Sequence, residues 1–166
     1  HRLQQSIRSF PKLLSQLLIL FKIRNLVPKN KIFRSYFADD FNYNKEQNAE
    51  QIMGAAMVIT RATFEKLGFL DERFFVWFEE VDYCQRAKKK NIIVRYLPTA
   101  SIVHHSGTSF AKQRIMRKQM FFNFSLLRYF LKHRPVWETL AIVLIIPINI
   151  LLTAIYAFSV KYYYKK

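Results

Sequence analysis

Three short segments carry side chains of the kind that do chemistry, and they follow one another in order. They are Gly54-Ala55, the acidic run Glu79-Glu80-Val81-Asp82, and His104-His105 followed by Ser106-Gly107. A carboxylate with an ordinary pKa, about 4.3 for Glu, is ionised at pH 7 and able to take a proton from a hydroxyl. An imidazole can complete the shell of a divalent cation whose other ligands are carboxylate and phosphate oxygens. Singly, each segment has a plainer explanation. Two glutamates opening a helix complement its dipole, and a histidine ending a strand is commonly a surface or hydrogen-bonded residue. In an extended strand His104 and His105 point to opposite faces, so only one of them can serve a given site.

The elements that must position these residues can be read from periodicity and end signals. Gln51 to Ile59 is a short apolar run with β-branched residues and reads as a buried strand carrying Gly54 and Ala55. Arg61 to Leu67 reads as a short helix stopped by Gly68. A longer helix begins near Glu79, with acids in its first turn and Arg86, Lys88, Lys89 and Lys90 in its last. Asp82 and Arg86 are spaced to pair along one face of it. Ile92 to Leu97 reads as a strand ended by Pro98, and Ala100 to His104 as a second extended piece. Further out, Leu13 to Ile23 has helical periodicity, Pro28 to Asn48 reads as a long polar loop, and Lys112 to Arg134 as a basic, aromatic helix stopped before Pro135. The alternation predicts an α/β fold with a helical C-terminal extension.

Composition excludes several classes. The 166 residues include 27 Lys and Arg against 11 Asp and Glu, a net charge of +16. A hydrophobic fraction of 51% with 16% aromatics is incompatible with a disordered basic tail. Cys84 is the single cysteine, which excludes a disulfide framework and a multi-thiolate zinc site. Only Gly54, Gly68 and Gly107 are glycines, so no Gly-rich phosphate loop can be written. The surplus positive charge favours polyanionic partners, but no zinc-finger, basic-zipper or RNA-binding signature is present. From Thr139 to Val160 the chain runs 22 residues without a charge, close to the roughly 20 that cross a hydrocarbon core. Trp137 and Tyr162 to Tyr164 offer aromatic anchors at its ends, while Pro147 and Asn149 interrupt it with a missing donor and an amide that needs a partner. Membrane association is the expectation.

The order and spacing of the three segments resemble the C-terminal half of the family 2 glycosyltransferases, in particular the rhamnosyltransferase-like branch. That branch shows a Gly-Ala strand, a helix, a "GFDE-FF-Y-ED-D-C-R" segment and a strand ending in "H--G-S". Here these read MGAAMVITRATFEKLGFLDERFFVWFEEVDYCQR and NIIVRYLPTASIVHHSGTS. The N-terminal QQSIRSFP resembles the family's "Q-S-R-FP", and FSLLRYFLKHRP its "S-LRY--KH". The resemblance extends to about residue 134.

It implies the acceptor-side half of a GT-A nucleotide-diphospho-sugar transferase fold in residues 1–134, with a hydrophobic, membrane-associating helix and basic end in 135–166. It implies inverting transfer of a sugar, rhamnose by family branch, from a nucleotide-diphosphate donor to a lipid-linked or polysaccharide acceptor in cell-surface glycan synthesis. Glu80 matches the family's general base, where Asp is usual, so this chain departs by one methylene. Asp82 and Arg86 match the family's third acid and its arginine. Gly54, Ala55, Trp77 and Glu79 fall on the acceptor side, and His104 matches the metal-binding histidine better than His105. The implied cofactor is Mg or Mn, held mostly by an N-terminal half. No Asp-x-Asp metal motif occurs here, so the chain reads as a C-terminal fragment, inactive alone. The implied surroundings are the cytoplasmic face of the cytoplasmic membrane and anionic lipid, without nucleic acid. The rival reading, a non-catalytic, membrane-anchored basic protein that binds anionic lipid or nucleic acid, explains the charge and the tail. It leaves the three ordered segments as coincidence.

Overall fold

The computed structural model describes residues 3–27, 30–104 and 113–163. It is mixed α/β, mostly helical, and divides into two compact units. One unit comprises residues 3–11, 30–74 and 78–104; the other comprises 12–27, 75–77 and 113–163.

The first unit is built on two antiparallel ribbons. β1 (Ile7–Arg8) pairs with β3 (Gln51–Ile52), Ile7 opposite Ile52 and Arg8 opposite Gln51. β2 (Gln47–Ala49) pairs with β4 (Val94–Tyr96). The N-terminal segment is held by polar staples as well as by strand bonds. The Tyr43 hydroxyl accepts from the backbone N–H groups of Ser6 and Ile7, both at 3.0 Å. The buried Gln51 donates to the Ser9 carbonyl at 2.6 Å, and Glu50 accepts from the Phe10 N–H at 2.9 Å. Phe41, Tyr43 and Tyr96 stack edge to face around the second ribbon.

Three helices complete this unit. α3 (Arg61–Leu67) begins where the Thr60 hydroxyl accepts from the Thr63 N–H at 3.2 Å, and it ends at Gly68 with φ +70°. That left-handed angle suits glycine, as the sequence predicts for this helix end. α4 (Glu79–Lys89) packs on β3 and β4 and buries Val81, Asp82, Tyr83, Cys84 and Ala87.

Three expectations are corrected here. The stretch Pro28 to Asn48 is not all loop, because α2 (Lys31–Phe37) lies within it. The Asn30 carboxamide accepts from the Ile32 N–H at 2.8 Å to start α2, and Phe33, Tyr36 and Phe37 are buried. Gly54 and Ala55 are not in a buried strand. β3 stops at Ile52, and Gly54–Ala56 form an exposed 3₁₀ turn followed by Val58 at 95% exposure. The run is apolar, but β1 offers pairing for only two of its residues. Ala100 to His104 likewise shows no regular strand.

The second unit is helical. α1 (Leu13–Leu20), α5 (Ile115–His133) and α6 (Val136–Tyr163) pack together, and α5 and α6 fold back on each other around Arg134-Pro135. Arg134 staples that turn through both Glu138 oxygens, at 2.6 and 2.7 Å. Leu20, Leu126, Phe130 and Ile142 are fully buried. A chain of amides crosses this core. Lys22 Nζ donates to Gln119 Oε1, Gln119 Nε2 to Asn123 Oδ1 at 2.9 Å, and Asn123 Nδ2 to Asn149 Oδ1 at 3.0 Å. Asn149 Nδ2 then donates to the Leu20 carbonyl at 2.6 Å. The amide that an apolar helix could not carry unpartnered is satisfied on both of its atoms. α6 over Val136–Ser159 is long and apolar enough to cross a membrane.

Asn149→Leu leaves the Asn123 amide N–H and the Leu20 carbonyl buried without these partners, so a loss of about 2–6 kcal/mol is expected, from about 1–3 kcal/mol for each orphaned group. Val143→Leu, on an exposed face of the same helix, should stay within about 0.5 kcal/mol of wild type. Denaturant unfolding of the detergent-solubilised protein reads both. An unchanged midpoint for Asn149→Leu would show that the amide chain contributes nothing.

Candidate functional site

The start of α4 collects most of the residues singled out from the sequence. The backbone enters it through two consecutive left-handed residues, Trp77 at φ +60° and Phe78 at φ +68°. Neither is glycine, and each such conformation costs of order 1–3 kcal/mol, so it persists only where the surrounding packing outweighs that cost. Phe74 and Phe78 are buried at 5% and 4% exposure and anchor this entry in their unit. The turn delivers Glu79 and Glu80 into the first turn of α4.

Gly54 lies against Glu80. A methyl group on Gly54 would sit 3.8 Å from Glu80 Cβ, so the 3₁₀ turn Gly54–Ala56 forms a wall beside that side chain. The turn is placed by β1, since the Met53 N–H donates to the Ser6 carbonyl at 2.8 Å just before it. The same strand brings the Arg8 charge close enough to act on Glu80. Arg8 is a site residue that sequence reasoning missed. The arginine within QQSIRSFP was a signal for it, but its neighbour is fixed by a long-range strand pair.

Enclosure decides the electrostatics. Glu79 Oε2 and Glu80 Oε2 are both buried and accept no hydrogen bond among the described residues. Burial raises the Glu79 pKa. Burial first, and then the neighbouring Glu79 charge, push Glu80 up to about 7; its own and the Val81 backbone N–H groups and Arg8 oppose the shift. Desolvation therefore outweighs the favourable helix start. The expectation of an ordinary carboxylate, fully ionised at pH 7, is corrected. Near neutrality Glu80 is divided between acid and base, the condition in which a proton-transfer group is most effective.

Asp82 has a different environment. It is fully buried, and its Oδ2 accepts from Arg86 Nε at 2.9 Å. The same guanidinium donates to the Leu67 carbonyl at 2.6 Å and to the Phe69 carbonyl at 2.8 Å. The pair that the spacing predicts is formed, and it clamps the turn after α3. Trp77 belongs to the helical unit. Its ring meets Phe122 edge to face at 6.4 Å, and it lines a cavity of about 280 Å³ with Ile19, Ile115, Lys118 and Phe122. Ala55 is exposed in the 3₁₀ turn.

His104 is exposed, with Nδ1 2.9 Å from the Gln4 amide oxygen. His105, Ser106 and Gly107 lie outside the described residues, so the choice between the two histidines concerns one described residue. Among the described residues no three His, Cys, Asp or Glu side chains gather closely enough to hold a metal ion. His104 offers one ligand, and the described residues do not compose a metal site on their own.

No family model matches the chain, and no solved structure matches it. Two curated relatives do so in part. The chain is 31% identical over 81 residues to the low-salt glycan biosynthesis hexosyltransferase Agl10 of Haloferax volcanii, covering 47% of this chain and 26% of that protein. It is 33% identical over 58 residues to the N-acetylglucosaminyl-diphospho-decaprenol L-rhamnosyltransferase of Mycobacterium tuberculosis, covering 35% of this chain and 19% of that protein. The matched stretches thus span about a quarter and a fifth of the relatives' lengths. These partial likenesses relate the chain to glycosyltransferases and support a role in glycosyl transfer.

Proposed function

We propose that this chain is the acceptor-side half of an inverting, GT-A family 2 glycosyltransferase, in which Glu80 is the general base. The observation that carries this reading is the Glu80 carboxyl itself. It is enclosed beside Gly54, has an oxygen without a hydrogen-bond partner, and has a pKa pushed up to about 7. Buried orphan oxygens are uncommon, and a catalytic duty is one of the few things that accounts for them.

In this reading an acceptor hydroxyl approaches the free Glu80 oxygen and gives up its proton as its own oxygen bonds to the anomeric carbon. The bond from that carbon to the nucleotide diphosphate breaks, and the diphosphate leaves with the electron pair. In this reading none of the residues assigned here holds the nucleotide of the donor. A divalent ion, if bound with the donor, would supply positive charge to the departing diphosphate, and of the described residues His104 could offer one ligand to it. Burial keeps the Glu80 pKa high and the Glu79 charge adds to it, while Asp82 holds Arg86 and the turn after α3. The M. tuberculosis relative is named for a lipid-linked diphosphate acceptor and L-rhamnose. An acceptor of that kind, with rhamnose as donor sugar, fits a basic protein with an apolar helix working at the cytoplasmic face of the membrane.

In the full-length enzyme Glu80→Gln should lower kcat by about 10²- to 10⁴-fold with the donor KM little changed. Glu80→Asp should retain substantial activity. The rate should rise with pH through about 7 as Glu80 ionises. Glu79→Gln removes a negative neighbour, lowers the Glu80 pKa, and so should shift that rising limb to lower pH. Steady-state kinetics across pH 5 to 9 read all three. A Glu80→Gln enzyme at full activity would contradict the assignment.

Stability should move the opposite way. The folded protein holds the Glu80 proton more tightly than the unfolded chain does, so ionising this group costs folding free energy. That cost begins above the unfolded value near 4.5 and is complete once the pH has passed about 7. Glu80→Gln should therefore be more stable than wild type at pH 8, and the advantage should vanish at pH 4. Chemical denaturation at both pH values measures it, and an equal midpoint for the two proteins at pH 8 would contradict the burial account.

A further inference from the structure

We propose that α6 lies along the surface of an anionic phospholipid bilayer together with α5, and does not cross it. Length and composition alone allow α6 to span; its partners within the helical unit do not. Asn149 stands 13 residues from Val136 and 10 from Ser159, so a spanning α6 would place it close to the bilayer midplane. Asn123 of α5 would then be at the same depth, because its amide donates to Asn149 at 3.0 Å. At 1.5 Å per residue, Lys118 and Arg128 would lie about 7.5 Å along α5 from Asn123, and Arg117 about 9 Å. The hydrocarbon half-thickness is about 15 Å. Lys22, joined to Asn123 through Gln119, would be buried at similar depth.

The backbone gives the same answer. Asn149 also holds the Leu20 carbonyl at 2.6 Å, at the end of α1. The chain leaves α1 through Lys22 at φ +61° and a 3₁₀ turn over Ile23–Asn25, with Leu26 at 80% exposure. A spanning α6 would carry this irregular, exposed backbone into hydrocarbon, which lipid-facing segments do not tolerate. Crossing thus requires either four cations and a loop in the membrane, or the dismantling of the amide chain and an unpartnered Asn149.

An in-plane placement satisfies every group. One face of α6 keeps Thr139, Ile142, Asn149 and Thr153 buried in the protein. The remainder is an apolar surface that includes Leu140, Leu144, Leu151, Ile155 and Phe158, all more than half exposed. A helix of this kind sinks its apolar side to the headgroup and acyl boundary. Arg114, at the N-cap of α5, and Arg117 and Arg128 on it are exposed, and the net charge is +16. That charge selects an anionic lipid surface as the partner.

Topology decides the matter in the full-length protein, with Cys84 replaced by Ser and one new cysteine introduced by Val136→Cys or by Ser159→Cys. Each is probed with a membrane-impermeant maleimide, in intact spheroplasts and in inverted membrane vesicles. Both positions should react from the same side. Reaction from opposite sides, reaction of neither, or recovery of the protein in the soluble fraction would overturn the proposal. The lipid choice is tested by flotation of the purified full-length protein with phosphatidylglycerol or phosphatidylcholine vesicles. Partition should favour phosphatidylglycerol at least tenfold, and Arg114→Glu with Arg117→Glu should remove most of that preference. Equal partition, or a preference indifferent to the charge reversal, would overturn the assignment to an anionic surface.

Discussion

Asp82 is fully buried, and a buried carboxylate persists only with a counter-charge and hydrogen bonds to satisfy it. Arg86 supplies both, and in doing so it fixes much else in the first unit. Its guanidinium is shared between Asp82 and the carbonyls of Leu67 and Phe69, so α4 is tied to the end of α3. Removing Arg86 would leave the Asp82 charge in the core and the two carbonyls without this donor, while removing Asp82 would leave the guanidinium without its counter-charge; breaking such a buried pair costs about 3–5 kcal/mol. With α4 held there, its first turn stands beside the Gly54 turn, and Glu80 is enclosed. Two carboxylates on one helix thus take separate duties. Asp82 is paired with Arg86, while Glu80 has one buried oxygen without a hydrogen-bond partner and holds its proton up to about pH 7.

The helical unit obeys the same rule with amides in place of charges. Asn149 sits within an apolar helix, and the demand that it be hydrogen-bonded recruits Asn123, Gln119 and the end of α1. α6 is consequently no free-standing anchor. Whatever the membrane does to it, α5 and α1 must follow or the amides must be orphaned.

Sequence alone resolved what is local. Acidic and basic end signals located α4, the glycine at 68 ended α3, and the i,i+4 spacing of Asp82 and Arg86 anticipated their ion pair. Helices α5 and α6 followed from periodicity and the proline between them. What sequence left out depends on distant parts of the chain. Gln51 to Ile59 looks like a strand by composition, yet β1 is two residues long and leaves Gly54 to Ala56 to coil into a 3₁₀ turn. α2 is only seven residues, and its aromatic face is visible as a pattern only once Phe33, Tyr36 and Phe37 are known to be buried. Arg8 reaches the Glu80 region through strand pairing over more than forty residues. The position of Glu80 was legible; its acidity was not, because burial is a tertiary property.

The account rests on a desolvated Glu80 carboxyl, and its protonation can be observed directly. Full-length protein labelled with ¹³C at the glutamate side-chain carboxyl carbon, with the Glu80 resonance assigned from its loss in Glu80→Gln, should titrate at that site with a midpoint near 7. A midpoint in the ordinary glutamate range, between about 4 and 5, would contradict it.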